Sequence, residues 1–407
     1  MFLYRKMIKL FTIYITIAAI MLFIPMVNLT SISAEPIIKD SSLSVDIIAE
    51  DLSEPTGMTF LNGDIMVIEK DGNVKLISHD TLQQLTIFQF DVNTKSERGL
   101  LGIESNGKDL FFYLTDSNVD PLKNRVFKYS WDGTKLQNPQ LLLDLPALPG
   151  PNHDAGKLVL DRNKQEGSTE NLYVVIGDLN HNGILQNQKS TEKPDDTGVI
   201  FRIKSLDGSA VLNNPFSKDV DFSKYFAYGI RNSFGLTLDP ESGFVWETEN
   251  GPSSYDEINI VKPGFNSGWN EVMGPIDRTN KNENDLVMIP GAHYKDPILS
   301  WKEPVALTDI EFLNSSKLGV KYYNNLFVGD YKNGNLYFLS LNQQREDIDI
   351  NQYSQELNDR VIDSESESSS VIFGEGFGGI SDIETGPDGS LYVLSYENGD
   401  LYRISKN

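Results

Sequence analysis

The sequence repeats one pattern six times: a short hydrophobic strand, a turn containing Gly, Asn or Asp, and a second strand of alternating character. Short runs rich in Val, Ile, Phe and Tyr between such turns are typical of β-strands. The units recur at roughly 40 to 80 residues, which is room for a four-stranded sheet and its loops. The paired strands are predicted over residues 64–68 and 73–77, 110–114 and 125–129, 172–176 and 199–203, 244–246 and 256–261, 326–328 and 335–339, and 391–394 and 400–404.

These units predict an all-β chain, and six of them without a sustained helical period indicate a six-bladed β-propeller over residues 41–407. A closed ring hides strand edges that an open sheet would expose. A pair of β-sandwiches is the alternative, which the lack of a dividing linker disfavours. Two stretches depart from the pattern. The acidic segment 346–370 is expected to be a mobile surface loop, and the insertion 270–297 to be a loop over one face.

The charge balance limits the possible partners. The chain has 35 basic and 58 acidic residues, a net charge of −23. Such a field repels phosphate backbones, so nucleic acid is not an expected partner, whereas acidity suits solubility and calcium. Cysteine is absent, which excludes disulfides and thiolate metal sites.

The N-terminus has the layout of an export signal. Basic residues precede an apolar run over residues 10–27, and the small residues Ser31, Ser33 and Ala34 follow. Residues 1–34 are therefore predicted to be a secretory signal peptide, with a single N-terminal membrane anchor as the alternative. Either reading places the remainder outside the cytoplasm, secreted or anchored to the membrane.

The stretch 228–269 concentrates polar residues around a predicted strand. A turn introduces that strand, and a polar loop with Asn250, Asp256 and Glu257 follows it. Carboxylates, amides and free backbone carbonyls gathered in one loop provide the oxygen ligands that Ca²⁺ prefers. The alternative is a solvated polar turn without a bound ion.

The same stretch carries two motifs of a known family. Tyr-Gly-x-Arg-Asn begins at Tyr228, and a Glu-x-Gly-Pro segment at Glu249 is followed by Asp-Glu-Ile-Asn at Asp256. In these motifs the chain resembles the soluble quinoprotein glucose dehydrogenases and aldose sugar dehydrogenases, also called the glucose/sorbosone dehydrogenases. Asn250 stands where that family usually has His. The resemblance spans about residues 55–404 and implies a propeller that oxidises aldose sugars at C1.

One of four histidines is the candidate general base. His153 lies in a rigid loop that leads into a strand, and an imidazole near its unperturbed pKa suits proton abstraction at neutral pH. A lone loop histidine is more often structural. The family's His-x-Gly-Gly-Arg-Leu motif resembles the segment from His153 to Leu158, which implies that His153 takes the proton of the sugar hydroxyl. Asp178, at the end of a predicted strand, is the expected orienting acceptor.

The resemblance also implies a cofactor and metal. Pyrroloquinoline quinone carries three carboxylates that need cationic partners, and Arg231, Asn232 and Lys332 match residues that bind it in the family. Backbone carbonyls matching those of Gly251 and Pro252 hold the Ca²⁺ that contacts the quinone. The residue matching Glu257 helps to hold a second, structural Ca²⁺, with a carbonyl aligned at Ser267. A small-molecule sugar and an external electron acceptor are the implied partners.

The chain departs from the family at three cofactor positions. Two arginines that bind quinone carboxylates in the family are replaced by Gly379 and Ser381, and a Gln is replaced by Glu97. Losing two guanidiniums removes charged hydrogen bonds of roughly 1.5–3 kcal/mol each. Two functions therefore stand: a quinone-dependent sugar dehydrogenase, or a calcium-stabilised propeller that binds a ligand or protein partner without redox chemistry. A propeller lactonase is a third possibility.

Overall fold

The computed structural model describes residues 35–162, 170–189 and 193–407. Glu35–Asn407 forms one compact unit. The predicted signal peptide or anchor, residues 1–34, lies outside the described residues. Within those residues, no helix combines the length and apolar character needed to cross a bilayer.

The structure is all-β, as predicted, and is a β-propeller. The strands of the described residues form six sheets. The first sheet contains β3 (Pro55–Leu61), β4 (Asp64–Glu69), β5 (Asn73–Ile77) and β6 (Gln84–Gln89), and the second contains β7 (Leu100–Ser105), β8 (Asp109–Asp116), β9 (Lys123–Trp131) and β10 (Leu136–Pro146). The third contains β11 (Leu158–Leu160), β12 (Asn171–Ile176), β13 (Val199–Lys204), β14 (Tyr225–Tyr228), β18 (Phe265–Asn266) and β19 (His293–Tyr294), and the fourth contains β15 (Gly235–Leu238), β16 (Val245–Glu249), β17 (Asp256–Val261), β20 (Leu299–Trp301) and β24 (Val361–Ile362). The fifth contains β21 (Leu307–Phe312), β22 (Leu326–Asp330), β23 (Leu336–Leu339), β25 (Ile372–Glu375) and β1 (Ile37–Ile38), and the sixth contains β26 (Ile380–Thr385), β27 (Leu391–Ser395), β28 (Leu401–Lys406) and β2 (Leu43–Ala49).

The first strand of each sheet faces the centre. These six strands, β3, β7, β11, β15, β21 and β26, contact one another in that order, and β26 returns to β3. The ring is closed by chain ends, because β2 pairs antiparallel with β28 and Val45 lies opposite Ile404. β2 is thereby the outer strand of the sixth sheet, and backbone hydrogen bonds join the two terminal parts of the propeller.

The predicted strand pairs lie in the middle of the six sheets. The prediction at residues 64–68 and 73–77, for example, corresponds to β4 and β5. Hairpin chemistry supports these boundaries: Asn62 and Gly63, between β3 and β4, both have positive φ, as a two-residue turn between twisted strands requires. The predicted strand 244–246 was too short, since β16 runs from Val245 to Glu249, whereas the predicted strand 256–261 corresponds to β17. The polar loop between them consists of residues 250–255.

The acidic segment 346–370 is not simply the surface loop that was expected. It ends in a short helix, α1 (Glu365–Val371), where the Ser364 side chain accepts a hydrogen bond from the backbone N–H of Glu367 and the Glu367 carboxylate accepts one from the backbone N–H of Ser364. This reciprocal capping satisfies donors at the helix start. The other helical turns among the described residues are 3₁₀: Ile184–Gln186, Val220–Phe222, Ile276–Arg278, Glu283–Asp285, Ile350–Gln352 and Gln355–Asp359.

The inner strands enclose a channel with a cavity at each end. The N-end cavity, of about 330 Å³, is bordered by residues at or before the starts of these strands, such as Leu101 and Phe234. The C-end cavity, of about 340 Å³, is bordered by residues towards their ends, such as Glu104 and Glu311. Lys157 borders both cavities. It therefore lies between them.

Glu311 gives the C-end cavity a pH-dependent contribution to stability. Burial raises the pKa of Glu311 to about 7, although Thr385 and Lys157 favour the charged form. Between pH 4.5 and 7 the folded protein holds this proton and the unfolded chain releases it, so stability falls as pH rises. Glu311→Gln is expected to reduce that fall by roughly 1–3 kcal/mol.

The measurement is urea unfolding at pH values across this window. The exposed Glu303 provides the control, since Glu303→Gln is expected to leave the pH dependence unchanged. An unaltered slope in Glu311→Gln would contradict the assignment.

Candidate active site

The N-end cavity combines apolar walls with a few polar groups. Leu101, Phe234 and Ile380 provide apolar surface, whereas Glu97 and Asn250 present polar side chains. A concave, mainly apolar pocket with a few convergent polar groups is the usual form of a small-molecule site. Glu97 contacts His153 and Asn232, and Asn250 contacts Arg231, so four of the predicted residues lie next to this end of the channel once Asp178, the partner of His153, is included.

The structure brings His153 and Asp178 together. Their atoms Nδ1 and Oδ1 are 2.6 Å apart, and both residues are buried. A carboxylate at Nδ1 fixes the tautomer in which Nδ1 carries hydrogen and Nε2 keeps its lone pair. The backbone of Asp178 donates to the carbonyl of Arg231 at 2.8 Å, which ties this pair to the predicted cofactor residues. The arrangement can accept a proton at Nε2.

Trp269 holds the second oxygen of Asp178. Its Nε1–H donates to Oδ2 at 2.7 Å, while the backbone N–H of Asn180 donates to Oδ1 at 2.7 Å. The carboxylate plane is thus fixed from two sides, which fixes the imidazole in turn. This role of Trp269 was not predicted. Its position at the end of the conspicuous stretch was the available signal.

Glu97 connects the base to the Arg-Asn pair. Its Oε2 accepts from the backbone N–H of His153 at 2.8 Å and from Nδ2 of Asn232 at 3.0 Å. The φ of His153 is 65°, a left-handed conformation that non-glycine residues rarely adopt. The hydrogen bond to Glu97 stabilises this conformation. Glu97 thus occupies the position of the family's Gln, and one of its carboxylate oxygens accepts both hydrogen bonds.

Arg231 is anchored by the loop that was predicted to bind calcium. Its Nη1 donates to the carbonyl of Asn250 at 2.7 Å, and its backbone N–H donates to Oε1 of Glu249 at 2.6 Å. The guanidinium also lies 5.3 Å from the ring centre of Trp269. Burial lowers the pKa of Arg231, a shift opposed by Asp178 and neighbouring glutamates. The side chain is held as a rigid cation beside the base.

Several buried polar atoms around this site have no protein partner. They are Nε of Arg231, Oδ1 of Asn232 and Oδ1 of Asn250. Buried polar groups are nearly always hydrogen-bonded in folded proteins. Three unsatisfied atoms near one cavity are the arrangement expected of a site that receives a polar ligand.

The predicted calcium loop forms a tight bend at Gly251 and Pro252. A Cβ on Gly251 would lie 2.2 Å from the carbonyl oxygen of Ser254, so only glycine fits. Asp256 stabilises the bend, because Oδ1 accepts from the N–H of Gly251 and Oδ2 from the N–H of Ala306. Its carboxylate is therefore occupied by backbone donors. The carbonyls of Gly251 and Pro252 remain the predicted ligands.

Glu257 belongs to a different location, between strands. It lies directly opposite Glu249 in the β16–β17 ladder, and both side chains are buried. Burial raises the pKa of Glu257 to about 8 and that of Glu249 to about 7. Ser267 donates to Oε2 of Glu249 at 2.5 Å. In the described part of the chain no group of three or more His, Cys, Asp or Glu side chains could hold a metal.

Lys332 lies apart from the other predicted cofactor residues. Its Nζ is exposed and donates to the carbonyl of Pro304 at 3.1 Å. The preceding residue, Tyr331, borders the N-end cavity instead, together with Tyr396 and Ser381. The two tyrosine rings are 5.8 Å apart in an edge-to-face arrangement. Neither tyrosine was predicted, because no local motif marks them.

Fold and site together define a β-propeller with a buried His–Asp pair beside an arginine at one end of its channel. The profile of the Glucose / Sorbosone dehydrogenase family matches residues 52–403, so the chain belongs to this family. This confirms the resemblance inferred from the motifs.

Named relatives support the family. The chain is 28% identical over 263 residues to the aldose sugar dehydrogenase YliI of Escherichia coli K12, a match covering 64% of this chain and 62% of that protein. It is 27% identical over 272 residues to the quinoprotein glucose dehydrogenase B of Acinetobacter calcoaceticus, covering 59% of this chain and 55% of that protein. Both matches span less than two thirds of the relative.

A solved structure has the same fold. The PQQ-bound aldose sugar dehydrogenase of Streptomyces coelicolor superposes with a TM-score of 0.66 at 20% identity, covering 90% of this chain and 99% of the other. At this identity the likeness supports the fold alone.

Trp269 is expected to stabilise the site through Asp178. Trp269→Phe keeps an aromatic ring near Arg231 but leaves Oδ2 of Asp178 without its donor, which costs about 1–3 kcal/mol of unfolding free energy. The measurement is urea unfolding at pH 7. Trp131→Phe, a partly exposed tryptophan on β9, is the matched control. Equal losses in the two variants would contradict a specific role for the indole N–H.

Proposed function

We propose that this protein is an exported oxidoreductase that oxidises aldose sugars at C1 with pyrroloquinoline quinone and Ca²⁺. The observation that carries the proposal is the buried His153–Asp178 pair beside the N-end cavity of a family propeller. The relatives named as sugar dehydrogenases support the substrate class. The predicted signal peptide or anchor at residues 1–34 supports an extracytoplasmic location.

The proton moves to the imidazole of His153. With Nδ1–H directed at Asp178, the free lone pair of Nε2 accepts the hydrogen of the sugar C1 hydroxyl. The carboxylate stabilises the imidazolium that forms. Trp269 and Asn180 keep that carboxylate in place, so no reorganisation is needed as charge develops.

The cofactor fit rests on this chain's own side chains. Nε of Arg231 and Oδ1 of Asn232 and Asn250 are buried without partners and offer hydrogen bonds to a planar polar molecule. When bound, the quinone supplies a two-electron acceptor and Ca²⁺ a Lewis acid. Arg231 and Asn232 would hold the quinone, and the carbonyls of Gly251 and Pro252 the Ca²⁺. Lys332 is the least well placed of these residues, since its amino group contacts Pro304.

The architecture belongs to the same proposal. We take the six sheets as six blades of one ring, because their inner strands contact one another in an unbroken circle. An external electron acceptor would reoxidise the cofactor. The alternative function, a non-catalytic propeller that binds a ligand or protein partner, draws on Gly379 and Ser381, which offer no guanidinium to a tricarboxylate.

Removing the base tests the catalytic assignment. Protein reconstituted with quinone and Ca²⁺ is expected to reduce a dye when supplied with aldoses, and His153→Gln to lose about 10²–10⁴-fold in kcat while still binding quinone. His79→Gln, at an exposed histidine, is the control and should be fully active.

Two outcomes separate the alternatives. Quinone binding without activity towards any aldose would indicate another substrate. No quinone binding by the wild type would favour the non-catalytic propeller.

Calcium is expected to stabilise the protein through Glu257. Ca²⁺ at 100 times its dissociation constant adds about 2.7 kcal/mol to the unfolding free energy. Because burial raises the pKa of Glu257 to about 8, protons compete with Ca²⁺, and the rise in Tm should be larger at pH 8 than at pH 6. Differential scanning fluorimetry with Ca²⁺, Mg²⁺ and chelator measures this. Glu257→Gln should show a smaller rise; an identical rise would exclude Glu257 as a ligand.

A further inference from the structure

We propose that Lys70 binds a carboxylate of the ligand in the N-end cavity, in place of the two arginines that this chain lacks. The inference rests on the proposed function for the identity of the ligand. The assignment of Lys70 itself rests on the cavity wall.

The sixth sheet cannot provide the missing cations. A Cβ on Gly379 would lie 2.7 Å from the ring of Tyr331, so that ring occupies the space of a longer side chain. Ser381 is turned into the wall, where its hydroxyl donates to the carbonyl of Pro55 at 2.7 Å. This side of the cavity therefore presents aromatic and apolar surface.

Among the described residues that border the cavity, two are cationic, Lys70 and Lys157. The ammonium of Lys157 lies 2.8 Å from Asp309 and 2.5 Å from Asp382, both fully or almost fully buried. Its charge is neutralised by two carboxylates at contact distance. Lys157 has no net charge to offer a ligand.

Lys70 differs from Lys157 because its carboxylate partner is distant and exposed to solvent. Nζ lies 4.0 Å from Oε2 of Glu54, whose side chain is 58% exposed. Exposed pairs at this separation contribute little. Glu54 also accepts a hydrogen bond from Tyr396, whose pKa is raised by burial and by Glu54. Lys70 can therefore exchange this weak pair for a ligand carboxylate at small cost.

The backbone positions Lys70 for this role. Lys70 directly follows β4, its N–H donates to the carbonyl of Glu54, and its carbonyl accepts from the N–H of Leu100. A Cβ on Gly99 would lie 2.7 Å from Cγ of Lys70, so glycine at this place makes room for the side chain. The side chain is 16% exposed and thus largely enclosed at the cavity wall.

The test is calorimetric titration of the protein with pyrroloquinoline quinone in Ca²⁺. Lys70→Gln is expected to bind about tenfold more weakly, as loss of one charged contact implies, and with a shallower dependence on KCl. Lys70→Arg should bind within about threefold of the wild type. Lys135→Gln removes the same charge from an exposed turn and should bind normally. Thermal melting confirms that each variant is folded; Lys70→Met replaces Lys70→Gln if the latter is not.

Equal affinity of the wild type and Lys70→Gln would overturn the inference and leave the proposed function intact. A wild type that does not bind the quinone would overturn the proposed function. In that case benzene-1,3,5-tricarboxylate, titrated without metal, decides about Lys70. Tighter binding to the wild type than to Lys70→Gln would support the lysine as a carboxylate-binding residue, and equal or absent binding would overturn it.

Discussion

The ring depends on an ion cluster in its channel. Lys157 enters the centre just before β11 and meets Asp309 of β21 and Asp382 of β26. Asp382 also accepts the backbone N–H of Met58 on β3 at 2.5 Å, and Asp309 that of Ile383 at 2.9 Å. A buried charge is tolerated only when it is paired and hydrogen-bonded. Removing one partner leaves the others as uncompensated buried charges, which is strongly destabilising. The cluster thereby links the inner strands β3, β11, β21 and β26 through groups that depend on one another for charge balance and hydrogen bonds.

The sequence predicted the strands well because their signal is local. Alternating hydrophobic residues between glycine-containing turns define β4, β5 and their counterparts in the other sheets. The strand before the polar loop was predicted too short, because the glutamates Glu247 and Glu249 at its end are polar residues inside a strand ladder, which hydrophobicity alone does not mark as strand. The short helix α1 was missed for another reason: its capping pair, Ser364 and Glu367, was visible, but the polar composition around it suggested a surface loop.

The candidate site residues named from motifs are those that the structure brings together most closely. His153, Asp178, Arg231 and Asn232 converge because the loops between strands open towards the same end of the channel. Tyr396 and Lys70 come from opposite ends of the chain and meet through closure of the ring, which no local pattern encodes. Lys332 illustrates the converse. The motif identifies the right turn, yet the neighbouring Tyr331 is the residue that borders the cavity.

The position of Lys157 has a consequence for any redesign of the propeller. Because Lys157 borders both cavities, its ammonium and the carboxylates of Asp309 and Asp382 lie between the two ends of the channel. A shorter neutral residue at Lys157 would enlarge the space between the cavities but would also leave two buried carboxylates without their counter-ion. At this position the shape of the channel and the stability of the ring cannot be changed independently.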